Sequence, residues 1–332
     1  MDPKRIVISR TDAIGDVVLT LPLAGIIKEY FPNSKVFFLG KTYTKDVIAL
    51  SKYIDGFINW SELELLPINE QINKLNEFNI DTIIHVFPNR KIASLAKKVK
   101  IKNRIGTSHR TFHWTTCNFL SYFSRKKSDL HEAQLNTKLL KSLGIDREFS
   151  TEELVQYYGF TDIKSSDTKF SQLLDSNRYN LILHSKSKGS AREWGLSNFK
   201  TLIDILPKEK YKIFLSGTEE EGLLFRDKLI GAENVIDISG TMNLQEFISF
   251  INSADGLIAA STGPLHIAAA LGKQALGIFP PIRPMHPGRW MPLGINADYI
   301  VQTEPCSDCR KGGACHCMLD ISPEMVAKKL AL

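Results

Sequence analysis

The sequence predicts an α/β protein made of two parallel-sheet domains, each a series of strands joined by crossover helices. Short apolar, β-branched runs alternate with stretches that are apolar at helical spacing, in both halves of the chain. The alternation blurs once, between about residues 146 and 180, where polar clusters such as Thr161–Thr168 gather. At 332 residues the chain is long enough for two separate cores. The expected domains are residues 1–160 and 161–332, with the last helix, Pro323–Leu330, packing back on the first.

Ile6–Ser9 reads as the first strand, followed by Arg10–Asp16 and then Val17–Tyr30, apolar at helical spacing. Pro22 should kink that helix or restart it with Thr20 as cap. Asp16 therefore stands just past a strand's carboxyl end, where open α/β sheets bind ligands. The bland alternative is an acidic residue favoured in a first helical turn. Further strands are expected at Val36–Leu39, Phe57–Trp60, Thr82–Phe87 and Asn103–Ile105, and an amphipathic helix at His131–Leu143 ended by Gly144. The second set is Leu181–Ser185, Lys212–Ser216, Val235–Ser239, Leu257–Ala260 and Ala275–Phe279. No tandem repeat or low-complexity tract interrupts them.

The segment Gly256–Gly272 carries the most chemistry. Gly256–Ala260 is a short buried strand, Ser261-Thr262-Gly263 a small polar turn, and Pro264 suits the start of a helix that runs on through His266. Strand, tight turn and helix N-terminus make an anion cradle of free N–H groups at the positive end of a helix dipole. Its position predicts that a nucleotide binds the second half of the chain. After the strand ending at Ser185, Lys186-Ser187-Lys188-Gly189-Ser190 is a basic, hydroxyl-rich loop suited to a diphosphate, or a plain surface loop. Gly240–Leu244 could line a base pocket with Met242 as a soft apolar wall, or simply pack.

Charge is unevenly divided. Residues 1–165 hold 24 Lys and Arg against 18 Asp and Glu, whereas the remainder balances at 18 and 18. No acidic residue occurs between Thr82 and Ser128, a window with eleven Lys and Arg, among them Arg90, Lys97, Arg110 and Lys127. Trp114, Tyr122, Phe112, Phe119 and Phe123 lie in the same window. Basic and aromatic residues together suit an anionic membrane surface, each charge contributing about 1 kcal/mol there. A solvated basic face is the bland alternative. Nucleic acid ranks last, because no recurring aromatic-stacking motif for RNA is present. No run approaches the length of a membrane span, and no secretory signal opens the chain, so a cytoplasmic location is expected.

Several of these segments resemble, in order, the heptosyltransferase-like glycosyltransferases of family 9. They are Arg10…Ile14-Gly15-Asp16 through Pro22, Phe31-Pro32, Asp81–Val86, Arg104-Ile105-Gly106, Lys138–Gly144, Arg192-Glu193-Trp194, Ser261–Gly272 and Cys317–Glu324. The resemblance implies the GT-B architecture, two Rossmann-like domains facing across a cleft. It also implies an inverting transfer of sugar from a nucleotide-sugar donor, ADP-heptose first, to a glycolipid acceptor of lipopolysaccharide core. Asp16 is then the candidate base, with Arg10, Asn89 and Arg90 near the acceptor. Ser187, Lys188, Arg192, Glu219, Met242, Ser261, Thr262, Gly263, Pro264 and His266 are the candidate donor contacts. A helix N-terminus would lower the pKa of Asp16 and weaken it as a base. No cofactor is expected, and with so many cations at the diphosphate no divalent metal is needed. The chain departs from the family at Ser261, where many heptosyltransferases carry aspartate. A different nucleotide sugar, or a noncatalytic protein that binds anionic lipid or glycan, therefore stays open.

Cys306-x2-Cys309-x5-Cys315-x-Cys317 reads as a zinc site before it reads as disulfides in a reducing compartment, yet it matches no common zinc ribbon. Relatives often carry a cysteine-bearing loop here with no metal that their chemistry requires. A nicotinamide-dependent oxidoreductase is disfavoured, since no G-x-G-x-x-G follows the first strand.

Overall fold

A computed structural model describes residues 3–161, 163, 168–303 and 316–330, in two compact units, Met1–Asp162 and Ile163–Leu332. The first holds six strands: β1 Arg5–Ser9, β2 Lys35–Gly40, β3 Gly56–Asn59, β4 Thr82–His85, β5 Asn103–Thr107 and β6 Phe119–Ser121. They form one sheet in the order β3-β2-β1-β4-β5-β6, every pair parallel. The second holds β7 Tyr179–His184, β8 Tyr211–Leu215, β9 Val235–Asp237, β10 Gly256–Ala260, β11 Gln274–Phe279 and β12 Ala297–Val301. Its order, β12-β11-β10-β7-β8-β9, repeats the first topology in an equally parallel sheet. The expected doubly wound α/β fold is therefore present twice.

Central strands are covered on both faces, which is why they read as unbroken apolar runs: Ile6, Val7 and Ile8 of β1 are all fully buried. The two strands that the sequence reading missed, β6 and β12, are each the outermost of a sheet. An edge strand has one neighbour and tolerates polar or exposed residues, as Asp298 and Tyr299 do in β12. Pro22 restarts the first helix: Ile14–Val18 ends and Pro22–Tyr30 begins, with Leu21 rather than Thr20 at the N-cap. The Thr20 hydroxyl donates to the Asp16 carbonyl instead. The His131–Leu143 helix starts in α geometry over Glu132–Thr137 and tightens to 3-10 over Lys138–Leu143, ending at Gly144 with a left-handed φ of 92°.

The buried face of the last helix, Pro323–Leu330, places Val326 and Leu330 in one core cluster with Trp194, Phe199 and Leu202. Trp194 ties that region down through its indole N–H, which donates to the Ile321 carbonyl at 2.8 Å. Within each sheet the chain reverses direction of travel between β1 and β4, or β7 and β10. Doubly wound sheets bind ligands at the strand carboxyl ends beside such a point. Two candidate sites follow, one in each unit.

Candidate active site

In the first unit the chain leaves β1 at Arg10, whose N–H donates to the Leu39 carbonyl at 3.1 Å. That bond turns the side chain into the protein, where it is almost completely buried. Its Nε and Nη2 donate to both oxygens of Asp12, at 2.8 and 3.0 Å, Nη2 also reaches Asp16, and Nη1 meets Glu132 at 3.0 Å. Arg10, expected near the acceptor, has its guanidinium paired with these three carboxylates. A buried guanidinium is tolerable only when so paired.

Asp16 sits in the first turn of helix Ile14–Val18, but it does not cap that helix: Ala13 is the N-cap, without a side-chain bond. The expected lowering of its pKa is also reversed. Burial pushes the Asp16 carboxyl up to about 6; Arg10 opposes this, while Asp12 and Glu132 add to it. Desolvation outweighs the dipole of a helix only five residues long. A carboxylate that titrates near neutrality, still one-fifth exposed, is better matched to proton transfer than an ordinary aspartate.

Asn89 and Arg90 follow β4. Asn89 is the N-cap of helix Arg90–Lys98, its Oδ1 accepting from the N–H groups of Lys91 and Ile92 at 2.9 and 3.3 Å. That explains the residue structurally and leaves only its amide hydrogens for a ligand. Arg90 is exposed, lies over the Phe112 ring at 5.6 Å, and lines an open pocket of about 310 Å3 with Ser94, Thr111, Phe112, Thr115 and Thr116. One guanidinium among hydroxyls suits an anionic, hydroxylated ligand.

In the second unit, β7 and β10 are neighbours, His184 pairing with Ala259, so the loops after them leave one sheet edge side by side. After β10, Thr262 is the N-cap of helix Gly263–Ala270, with Pro264 in its first turn. The Thr262 side chain makes no capping bond, and its buried Oγ1 has no partner among the described residues. A buried hydroxyl without a partner costs about 1–3 kcal/mol, which a ligand oxygen there would offset. His266 is buried one turn on, and Ser261 is half-buried at the mouth.

After β7, the loop is held by Glu193, which sequence reasoning overlooked inside Arg192-Glu193-Trp194. Its carboxylate accepts the Ser187 N–H at 3.1 Å and the Ser187 hydroxyl at 3.2 Å, and pairs with Lys186. Lys186 is thereby neutralised, whereas Lys188 stands out in a left-handed conformation, 61% exposed, with Nζ 4.0 Å from Glu220. Glu219 opens helix Glu219–Leu229 and is bound by both Nη atoms of Arg226 at 2.6 and 2.8 Å. Gly240 has φ 68° and approaches so closely that a Cβ would lie 2.5 Å from Glu219 Oε2. This brings the turn before half-buried Met242 against Glu219.

Cys306, Cys309 and Cys315 lie outside the described residues; Cys317 is buried in the short helix His316–Leu319.

The chain covers 98% of itself and 97% of the structure of E. coli ADP-heptose lipopolysaccharide heptosyltransferase II, with a TM-score of 0.77 and 18% identity. E. coli heptosyltransferase WaaC with ADP gives a TM-score of 0.71 at 17% identity, over 98% of both chains. The lipopolysaccharide core heptosyltransferase OpsX of Haemophilus influenzae is 22% identical over 291 residues, 83% of this chain and 79% of that protein. The model of glycosyltransferase family 9 (heptosyltransferase) matches residues 69–316, most of the length, from β4 of the first sheet through the whole of the second. The protein thus belongs to glycosyltransferase family 9, a family of enzymes built on two Rossmann-like sheets in the GT-B architecture.

Proposed function

We propose that this protein transfers a sugar, heptose from ADP-heptose first, onto a lipopolysaccharide-core or related surface-glycan acceptor. The observation that carries the reading is the Thr262 cradle: an unpartnered buried hydroxyl at a helix N-terminus, beside a loop that offers Lys188. Such an arrangement is built for an anion that both sides share, as a diphosphate is. The names of the relatives support ADP and heptose as the first choices.

In the proposed step an acceptor hydroxyl attacks the anomeric carbon of the donor from the face opposite the diphosphate. The new C–O bond forms as the bond to the diphosphate oxygen breaks, inverting the centre, and the acceptor proton passes to Asp16. Lys188, Arg192 and the amides of the Thr262–Gly263 turn receive the developing negative charge. These cations supply what a divalent ion would, and the step as written uses no metal or cofactor. Arg90 and its pocket are assigned to the acceptor.

A second docking face supports a membrane-bound acceptor at the cytoplasmic surface of the inner membrane. Trp114 is 63% exposed and Tyr122 86% exposed. They are linked: Trp114 Nε1 donates to the Ser108 carbonyl at 2.8 Å, the Ser108 N–H donates to Ser121 at 3.0 Å, and Tyr122 stacks on His109. Lys97 reaches the Thr115 carbonyl at 2.8 Å beside them, within the acid-free window. Aromatic rings framed by cations match a headgroup layer of anionic lipid.

The test is a thermal-shift screen against ADP, UDP, GDP, CMP and NADH. Ligand at about a hundred times its Kd adds roughly 2.7 kcal/mol. Stabilisation by ADP, followed by turnover of ADP-heptose, is the expected result. A preference for UDP or GDP keeps the transferase and discards heptose, an outcome consistent with the neutral Ser261. Silence from every nucleotide overturns the donor site.

A further inference from the structure

We infer that Glu132 is a positioning residue for the transfer step, the buried carboxylate that shares the Arg10 guanidinium with Asp16 and thereby sets Asp16 up as a base. The inference rests on the reading of Asp16 as that base.

Helix Glu132–Thr137 is anchored by a reciprocal cap at His131, whose Nδ1 accepts the Ala133 N–H at 3.2 Å while its own N–H donates to Gln134 Oε1 at 3.0 Å. The cap fixes Glu132 at the first helical position, where its side chain is 1% exposed. Glu132 Oε1 accepts from Arg10 Nη1 and from Arg125 Nε, both at 3.0 Å. One turn later Asn136 Oδ1 accepts from Arg125 Nη2 at 2.8 Å and Arg10 Nη1 at 3.4 Å. The Asn136 amide then donates to the Leu19 carbonyl at 3.2 Å and to Thr20 Oγ1 at 3.3 Å, tying this helix to the chain just after Asp16.

The charge inventory shows what this does. In the ion pairs named above, Asp12, Asp16 and Glu132 face two guanidinium groups, Arg10 and Arg125, so these five groups together carry one net negative charge. Tyr43 also reaches the cluster, its hydroxyl donating to the Asp12 carbonyl at 2.6 Å. A proton entering the cluster neutralises the excess, and of the three carboxylates Glu132 is too enclosed to meet an acceptor. Asp12 and Asp16 are about equally exposed, at 22% and 20%, and of the two Asp16 is the one read above as the base. Were Glu132 uncharged, Arg10 would belong to Asp12 and Asp16 alone, and Asp16 would hold its negative charge more firmly and accept a proton less readily.

The test is the pH profile of kcat/KM for Glu132→Gln, which keeps the shape and the hydrogen-bond acceptor but removes the charge. The acid limb should move down by about one pH unit and kcat on the plateau fall about tenfold, with the donor KM unchanged. A limb that stays in place overturns the inference, whatever the plateau rate, because a merely structural role changes rate and stability without moving it. Asn136→Asp adds a carboxylate one turn away on the same two guanidinium groups, should move the limb upward, and serves if Glu132→Gln does not fold. A limb that fails to rise in that variant also overturns the inference. Asp16→Asn, assayed alongside, separates the two readings: if it keeps wild-type rate and profile, the base assignment itself has failed.

Discussion

Asp16 and His85 show at the residue scale how burial sets chemistry that position along the chain does not. Because the Asp16 carboxyl is pushed up to about 6, its ionised form predominates only above that pH. kcat/KM should therefore level off above about pH 6 and fall about tenfold per unit below it. Asp16→Ala should lower turnover by about 100-fold or more while ADP binding, followed by calorimetry, survives; loss of both together would make Asp16 structural. His85, at the end of β4, is buried with neither ring nitrogen hydrogen-bonded among the described residues, and burial first, then His113 and Arg104, push it down to about 3. It is neutral in the native state, whereas the unfolded chain takes up its proton near 6.5. Stability is thus complete above that pH and lost as pH falls, by up to about 1.4 kcal/mol per unit until about pH 3. Denaturant titrations of the wild type and His85→Leu should differ by that slope across this window. Asp16 was legible in the sequence through its strand-end position. Its partner Glu132 was not, because 116 residues separate them and only folding brings both to Arg10.

At the scale of elements, the strand–turn–helix unit from Gly256 was legible almost residue for residue, since a buried strand, small polar turn and early proline are each local signals. The edge strands β6 and β12 were not, because an edge is defined by a missing neighbour rather than by composition. The cradle makes a trade between stability and binding that can be measured. Thr262→Val keeps the side-chain shape and removes the buried hydroxyl that has no partner. It should raise stability by about 1 kcal/mol in the absence of ligand and weaken ADP binding about tenfold or more. Destabilisation together with unchanged ADP affinity would show that the hydroxyl serves the fold alone.

For the whole molecule, the first half carries all of the net charge, and the exposed Trp114 and Tyr122 lie within its acid-free window. Binding to vesicles containing anionic phosphatidylglycerol should be strong at low ionic strength, fall as salt screens the charges, and drop severalfold in a Trp114→Ala, Tyr122→Ala double variant. Equal binding to neutral phosphatidylcholine vesicles, or none to either, would remove the membrane from the reading. Among the described residues no helix is long and apolar enough to cross a bilayer.

By itself the sequence determined the two parallel sheets, the strand, turn and helix around Thr262, the strand-end aspartate and the uneven charge, because each is written in local periodicity, turn chemistry or composition. The tertiary structure decided what those residues are able to do. It buried Arg10 among three carboxylates, spent the Asn89 Oδ1 on a helix cap, bound Glu219 to Arg226, and locked the Lys186 loop with Glu193. Each outcome depends on desolvation or on a partner distant in sequence, and neither quantity exists until the chain has folded.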